Sequence, residues 1–213
     1  MSITVEFWGD FAVFSPPFGK VERVSAPFPT PSAVRGMLSA LYSKPVEFYW
    51  QVQKIEVLNP ISYISFKRNE LKSTTRGDKP IVADEDRTQR QTVALRDVRY
   101  RVTASICPRP TFTGSKQQLY KQALRRIRTG KCFMQPALGA REFVAYFEES
   151  DGMRPPIPVD LDGGLCVYDI FDLHDFSVRK KTKTRLSLYH AVMKQGVIEV
   201  PPYDSPEVIK GDE

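Results

Sequence analysis

Apolar and polar residues alternate along several segments of the chain, and such alternation predicts β-strands with one buried face. We predict a first strand over residues 3–14, a second over 46–60, a third over 92–106 and a fourth over 137–149, which follows a glycine turn. In the second strand the apolar parity slips halfway along its length. This slip predicts a β-bulge near Gln53.

Two segments between these strands have the apolar spacing of amphipathic helices. The first begins at Pro31, is capped by Thr30 and ends before Pro45. The second covers about residues 115–129. The predicted apolar stripes consist of Val34, Met37, Leu38 and Leu41 in the first helix and of Leu119, Ala123, Leu124 and Ile127 in the second.

The order strand, helix, strand, strand, helix, strand predicts an α+β fold. It is the order of the ferredoxin-like or RNA-recognition-type domain, in which both helices cover one face of an antiparallel sheet. We assign residues 1–150 to this domain. The polar segment 67–91 is interpreted as an exposed insertion, with a hairpin as its expected form. Residues 151–213 are expected to form a small, sheet-rich C-terminal subdomain.

Composition and charge narrow the function classes. The 213 residues include 31 lysines and arginines against 25 acids, a net charge of +6. This excess is common among nucleic-acid-binding proteins but does not require such a partner. The first residues lack the pattern of a signal peptide, and no apolar run approaches the roughly 18 residues of a membrane span. We therefore expect a cytoplasmic protein with no membrane partner.

The sequence lacks the usual motifs of metal and cofactor sites. The cysteines Cys107, Cys132 and Cys166 form no CxxC pair, and the histidines His174 and His190 stand alone. Walker, GxGxxG and GxSxG patterns are also missing. We therefore expect neither a metal nor a cofactor.

Basic side chains supply the positive signal. The second helix carries five cations and no acid, and backbone N–H groups at its start, near Ser115, attract phosphate. Arg99 and Arg101 would add a basic patch on one face of the sheet. The cluster at residues 179–185 is equally consistent with a solvated surface. These features together predict a polyanionic partner, for which RNA fits the sheet type best.

Five segments resemble one known family in their order and spacing. They are FWGDFAVFS at 7–15, PFPTPSAVRGMLSALYSKP at 27–45, LRDVRYRVTASI at 95–106, LGAREFVAYF at 138–147 and RLSLYHAVMKQGVIEVP at 185–201. They look like the CRISPR-associated Cas5 family and, within it, the type I-C (dvulg) branch.

The resemblance implies an RNA-processing enzyme. Proteins of this branch cut the repeat RNA of the precursor CRISPR transcript without a metal: the ribose 2′-OH attacks the adjacent phosphate and leaves a 2′,3′-cyclic phosphate. They then stay on the 5′ handle of the mature guide RNA inside the Cascade complex. The expected partners are precursor crRNA, the crRNA 5′ handle and the backbone and large subunits of Cascade. Non-specific DNA binding is a weaker alternative.

The resemblance also assigns catalytic residues. The family's tyrosine at the end of the first helix corresponds to Tyr42, and its Lys-His pair after the third strand corresponds to Lys116 and Gln117. Glutamine cannot exchange a proton at neutral pH, whereas histidine can. Three alternatives follow: cleavage is slower, another group such as Tyr120, Lys121 or a C-terminal histidine substitutes, or the chain is a non-catalytic scaffold that caps the guide RNA.

Two further points remain open in the sequence. Tyr42 lies four residues after Leu38, at the edge of the apolar stripe, so simple packing is an alternative to a catalytic role. In addition, six cationic side chains are predicted to contact RNA, namely Arg99, Arg101, Lys121, Arg125, Arg128 and Arg141.

Overall fold

Most of the described chain is β-structure. The computed structural model describes residues 1–16, 23–73, 80–175 and 184–211. Within them ten strands form one sheet. They are β1 (Ser2–Ala12), β2 (Arg23–Val24), β3 (Phe48–Val57), β4 (Tyr63–Leu71), β5 (Arg87–Pro108), β6 (Tyr146–Glu149), β7 (Leu161–Phe171), β8 (Thr184–Lys194), β9 (Val197–Glu199) and β10 (Ile209–Lys210).

Three helices accompany the sheet in the same ranges: α1 (Pro31–Leu41), α2 (Ala83–Asp86) and α3 (Lys116–Arg128). Among the described helices, none has the length and apolarity that crossing a membrane would require.

Four strands and two helices follow the order predicted from the sequence. The strands β3, β5, β1 and β6 are neighbours in that order, and each is antiparallel to the next. Along the chain, α1 lies between β1 and β3, and α3 lies between β5 and β6. The predicted bulge is confirmed, because the register of β3 against β5 shifts between Val52 and Lys54.

The α+β prediction underestimates the strand content, because two segments outside this core add strands to the same sheet. β4 begins before the predicted insertion at 67–91 and extends into it, and it pairs with the first half of β5, from Tyr63 opposite Leu95 to Leu71 opposite Arg87. Residues 74–79 of the predicted insertion lie outside the described residues. In the C-terminal part, β9 pairs with β3 and with β8. The division of the chain into two units near residue 150 stays a prediction.

The predicted fourth strand is too long. β6 covers only its last four residues, and a loop with a single bridge between Ala137 and Val144 precedes it. Gly139 in this loop has a φ of +87°, and a Cβ atom there would lie 1.8 Å from the carbonyl oxygen of Val13. Only glycine fits so close to the end of β1, so the chain turns at this position instead of extending.

Helices α1 and α3 contact each other and close the main core. The predicted N-cap of α1 is confirmed, because Thr30 Oγ1 accepts a hydrogen bond from the Ala33 amide at 3.2 Å. Leu124, which was predicted for the apolar stripe of α3, is only half-buried. The buried residues that join the two helices to β1 are Val34, Met37, Leu38, Leu41, Leu119, Ala123, Ile127, Ile3, Val5 and Phe7.

The central strands also carry a buried ion-pair network around Arg101. This arginine is 5% exposed. Its guanidinium donates to Glu6 Oε1 at 3.1 Å, Glu56 Oε1 at 3.4 Å, Ser150 Oγ at 2.8 Å and the Arg154 carbonyl at 2.7 Å. Burial raises the pKa of Glu6, but hydrogen bonds from Ser150 and the arginines outweigh it and hold the pKa below its usual value.

The predicted basic patch is therefore not exposed. Arg99 donates to Glu6 Oε2 at 2.6 Å and also pairs with Glu148, while its guanidinium lies 4.5 Å from the centre of the Trp8 ring. Arg101 is buried under residues 150–154. Because glutamates already accept hydrogen bonds from both guanidinium groups, we leave Arg99 and Arg101 out of the proposed RNA interface.

This network yields a stability prediction. Replacing Arg101 by methionine should lower the free energy of unfolding by about 3–5 kcal/mol, because it removes the one cation shared by the buried carboxylates of Glu6 and Glu56 and leaves them only Arg99 and Lys54. Urea unfolding monitored by circular dichroism measures the change. Arg96→Met is the matched control on the same strand, since Arg96 is exposed and should change stability by less than about 0.5 kcal/mol. Equal losses in the two variants would contradict the structural role of Arg101.

Candidate active site

A cleft opens between the C-terminal end of α1 and the first turns of α3. Its volume is about 560 Å³, and we call it the α1–α3 cleft. The residues that line it are Tyr42, Lys44, Glu47, Phe112, Gly114, Ser115, Gln118, Leu119, Lys121, Gln122 and Arg125. The cleft thus combines a phenol, a carboxylate and several cations within a partly apolar wall.

Tyr42 is the residue at which α1 ends. Its amide donates to the Leu38 carbonyl at 3.0 Å, and its own carbonyl accepts a hydrogen bond from Trp50 Nε1 at 2.9 Å. The ring centre lies 5.3 Å from that of Phe48, and the Arg126 guanidinium lies 5.7 Å from the Tyr42 ring centre. Tyr42 is therefore packed into the edge of the core, where it is only 5% exposed, and it also lines the cleft.

The hydroxyl group of Tyr42 is neutral at physiological pH. Burial raises its pKa, and the charge of Glu47 adds to this effect, while Lys44 and Arg126 act in the opposite direction without outweighing burial. Within the described residues, this hydroxyl has no hydrogen-bond partner. Tyr42 is therefore suited to donate or accept a hydrogen bond from a ligand and poorly suited to act as a base.

The first turn of α3 forms the opposite wall. The Ser115 carbonyl accepts hydrogen bonds from the Gln118 and Leu119 amides, at 3.1 and 3.3 Å, and the Ser115 side chain caps no amide. The amides of Lys116 and Gln117 consequently lack an acceptor within the described residues. Such a helix start attracts an anion through its free N–H groups and its dipole.

Two of the three predicted catalytic residues, Lys116 and Gln117, are not among the residues that line the cleft. Lys116 and Gln117 are exposed and belong to the first turn of α3, between the lining residues Ser115 and Gln118. Tyr42, the third, lines the cleft directly. Whether any of these residues takes part in catalysis stays a prediction.

Two of the predicted RNA-binding residues face Tyr42 from α3. Lys121 and Arg125 line the cleft, are exposed, and form no salt bridge within the described parts of the chain. Two free cations on the helix whose start borders the same cleft give the cleft the electrostatic character that a phosphate requires.

Sequence reasoning missed two charged residues of the cleft, Lys44 and Glu47. Lys44 Nζ donates to Glu47 Oε1 at 2.8 Å, and this hydrogen bond raises the pKa of Lys44. Both residues stand in the turn that follows Tyr42, in the segment YSKPVEF. These residues lie three and six positions past the end of α1. Helical periodicity describes only the residues within a helix, so it could not place them in the cleft.

The other predicted residues lie elsewhere. Arg128 pairs with Glu149, at 2.6 and 2.9 Å, and Arg141 is exposed beside the groove at the start of α1. Tyr120 is half-buried, packs against the core and does not line the cleft.

The two histidines are also outside the cleft lining. His174 Nε2 lies 2.8 Å from Asp204 Oδ1, and His190 Nε2 lies 2.6 Å from Asp162 Oδ1. The predicted basic cluster extends to Arg185, which pairs with Asp172; its residues 179–183 fall outside the described ranges.

The family comparison agrees with the sequence resemblance. The Cas5d family model, described as "CRISPR-associated protein (Cas_Cas5)", matches residues 2–201. With this match over nearly the whole chain, the protein belongs to the Cas5d branch of the CRISPR-associated Cas5 family.

Two relatives are similar over their full length, and both are named CRISPR pre-crRNA endoribonuclease Cas5d. The protein from Thermus thermophilus is 36% identical over 222 residues, which cover 99% of this chain and 96% of the relative. The protein from Mannheimia succiniciproducens is 35% identical over 223 residues, which cover 97% of each chain.

Solved structures confirm the fold. A functionally uncharacterized protein from Streptococcus mutans superposes with a TM-score of 0.69 at 21% identity, covering 98% of this chain and 96% of the other. A structure described as a CRISPR-associated protein gives the same values. At this level of identity the two structures support the fold alone.

Proposed function

We propose that this protein is a metal-independent endoribonuclease that cuts the repeat RNA of precursor crRNA in the α1–α3 cleft. The observation that carries the proposal is the convergence of Tyr42 with Ser115 at the start of α3 and with the cations Lys121 and Arg125 of the same helix on one cleft. The names of the two full-length relatives support the same substrate class. The order of the central strands and helices supports a ferredoxin-like core as the scaffold of this cleft.

The cationic wall would hold the scissile phosphate. The free amides at the start of α3, the ammonium groups of Lys116 and Lys121, and the guanidinium of Arg125 stabilise the negative charge that grows on the phosphorane. On the opposite wall, the neutral hydroxyl of Tyr42 orients the ribose 2′-OH by a hydrogen bond. Holding the 2′-OH in a reactive orientation lowers the entropic cost of the intramolecular attack and so accelerates it.

The proton transfer requires a group other than Gln117. Glu47 is the acidic side chain of the cleft lining, so its carboxylate takes the proton of the 2′-OH. The 2′-oxygen then bonds to phosphorus, the bond from phosphorus to the 5′-oxygen breaks, and Lys44 gives a proton to that oxygen. The 2.8 Å hydrogen bond between Lys44 and Glu47 lets the proton return afterwards. The products are a 2′,3′-cyclic phosphate and a 5′-hydroxyl.

The resemblance to type I-C proteins extends the proposal beyond cleavage. After the cut, the protein stays on the 5′ handle of the guide RNA as a subunit of Cascade in the cytoplasm. The same cationic wall that holds the substrate phosphate would retain the product strand, since cleavage leaves the neighbouring phosphates in place.

The direct test is cleavage of a cognate repeat hairpin by the purified protein in EDTA. We expect a product with a 2′,3′-cyclic phosphate end, and a rate about tenfold or more lower for Tyr42→Phe, which loses one orienting hydrogen bond. Tyr146→Phe is the matched control, because Tyr146 is exposed and lies outside the cleft lining. Gel analysis of end-labelled RNA measures both.

Gln117 favours a second candidate function, a non-catalytic scaffold that binds the handle of the guide RNA. In this case the protein binds the repeat tightly, with strong salt dependence, and gives no product at high protein excess. A product that requires the Tyr42 hydroxyl would reject the scaffold alternative.

The proton-transfer assignment predicts that Glu47→Gln slows cleavage in single-turnover assays by about 10²- to 10⁴-fold, the usual worth of a general base. Affinity for an uncleavable 2′-deoxy substrate should change little, because the amide keeps the size of the carboxyl group. Glu207→Gln serves as the control, since Glu207 is exposed and lies outside the cleft lining. If Glu47→Gln cuts at the wild-type rate, another group accepts the proton.

A further inference from the structure

A second cavity lies on the other side of Lys44 from the cleft. Its volume is about 260 Å³, and α1, β3 and the end of β7 enclose it. Lys44 lines both this cavity and the α1–α3 cleft, so the turn after α1 separates the two. We call it the Tyr49 pocket, after one of the aromatic residues that line it.

One wall of the pocket is an aromatic ring with a guanidinium group over it, held in place by hydrogen bonds to the backbone. The guanidinium of Arg109 lies 5.3 Å from the centre of the Tyr49 ring. Arg109 Nε donates to the Pro45 carbonyl at 3.0 Å, and its Nη1 donates to the Leu173 carbonyl. Arg109 is thus held flat by the backbone on two sides. Flat aromatic rings stack on such guanidinium planes and on tyrosine.

Three of the charged side chains around the pocket are already paired, and a fourth, Asp175, adds a negative charge that forms no ion pair within the described residues. Arg35 forms a forked pair with the buried Asp169, with Nη2 2.7 Å from Oδ1, Lys44 pairs with Glu47, and Asp172 pairs with Arg185 at 3.0 Å. A charged ligand would have to compete with these partners. The arrangement therefore favours a neutral ligand over a free phosphate.

The pocket wall also offers hydrogen bonds. Ser39 on α1 and Ser43 just after it both line the pocket, and their hydroxyl groups have no hydrogen-bond partner within the described residues. Hydroxyl groups can donate and accept, as the edge of a heteroaromatic ring requires. A cavity of this volume suits one ring system better than a larger ligand.

We propose that the Tyr49 pocket binds one unpaired nucleobase of the repeat RNA, next to the nucleotide whose phosphate lies in the α1–α3 cleft. The inference rests on the proposed function and adds a specificity site to it. A strand that passes over the turn at Lys44 places a phosphate in the cleft and the neighbouring base in the pocket. The base packs against the Arg109–Tyr49 pair, and the serines contact its edge.

The test combines pocket variants with abasic RNA. The RNA is an uncleavable repeat with a 2′-deoxyribose at the scissile nucleotide, prepared as a series with a single abasic site at each unpaired position. Ser39→Phe fills the pocket from α1, and Ser43→Phe fills it from outside the helix. Gly36→Ala is the matched control on α1, because a Cβ atom at Gly36 meets nothing within 4 Å. Circular dichroism shows which variants fold.

With the wild-type protein, we expect an abasic site at one position next to the scissile bond to weaken binding by about tenfold, the worth of one stacked base. A pocket-filling variant should bind the intact RNA with the same loss and show no further loss with that abasic RNA. Gly36→Ala should behave as the wild type. The non-additive result identifies the base that enters the pocket.

Two results would overturn the proposal. In the first, both folded filling variants bind intact RNA as the wild type does. In the second, the losses from the variant and from every abasic site multiply, which means that no base uses the pocket. Cleavage by the wild-type protein in EDTA, measured in parallel, separates this failure from a failure of the proposed function. A wild-type protein that neither binds nor cuts the repeat would reject both.

Discussion

A hydrogen bond from the sheet joins the end of α1 to β3, and the position of the candidate active site depends on this contact. Trp50 Nε1 donates to the carbonyl of Tyr42, so the helix stops where β3 passes beneath it. The Tyr42 ring is then confined between Phe48 and Arg126, with its hydroxyl group at the cleft. Since α3 packs against the same core, its first turn lies opposite this tyrosine.

The two faces of the sheet bury different kinds of side chains. On one face, the helices cover apolar side chains and leave free cations of α3 at the cleft. On the other, Arg101 neutralises Glu6 and Glu56 beneath residues 150–154. A buried charge network of this kind tolerates the loss of a partner poorly, so the central strands are held in place by charge as well as by apolar packing. The free cations that the proposed RNA binding requires therefore lie at the cleft and not on this face of the sheet.

Local patterns in the sequence predicted the elements that local physics determines. The start of α1 at Pro31, the cap at Thr30 and the bulge near Gln53 follow from residues that are neighbours in the chain. The single sheet did not follow, because pairing of β9 with β3 depends on contacts more than 140 residues apart in sequence. The turn at Gly139 shortened the fourth strand because of a close contact with Val13 that the sequence does not reveal.

The candidate site was predictable to a similar extent. Tyr42, Lys121 and Arg125 were named from the resemblance and from the charge of α3, and the structure gathers them in one cleft. Arg99 and Arg101 had the same charge but meet acids up to 95 residues away, which alternation alone cannot foresee. Lys44 and Glu47 line the cleft only because the end of α1 lies beside α3 in the fold, a contact that the sequence pattern does not reveal.

A structure of the protein with an uncleavable repeat RNA would show directly whether the scissile phosphate binds in the α1–α3 cleft. The 2′-deoxyribose at the cut site keeps the strand intact. The account predicts that the scissile phosphate lies within hydrogen-bond distance of the α3 amides or of Lys116, with its ribose against Tyr42. A bound RNA whose scissile phosphate lies outside the α1–α3 cleft would contradict it.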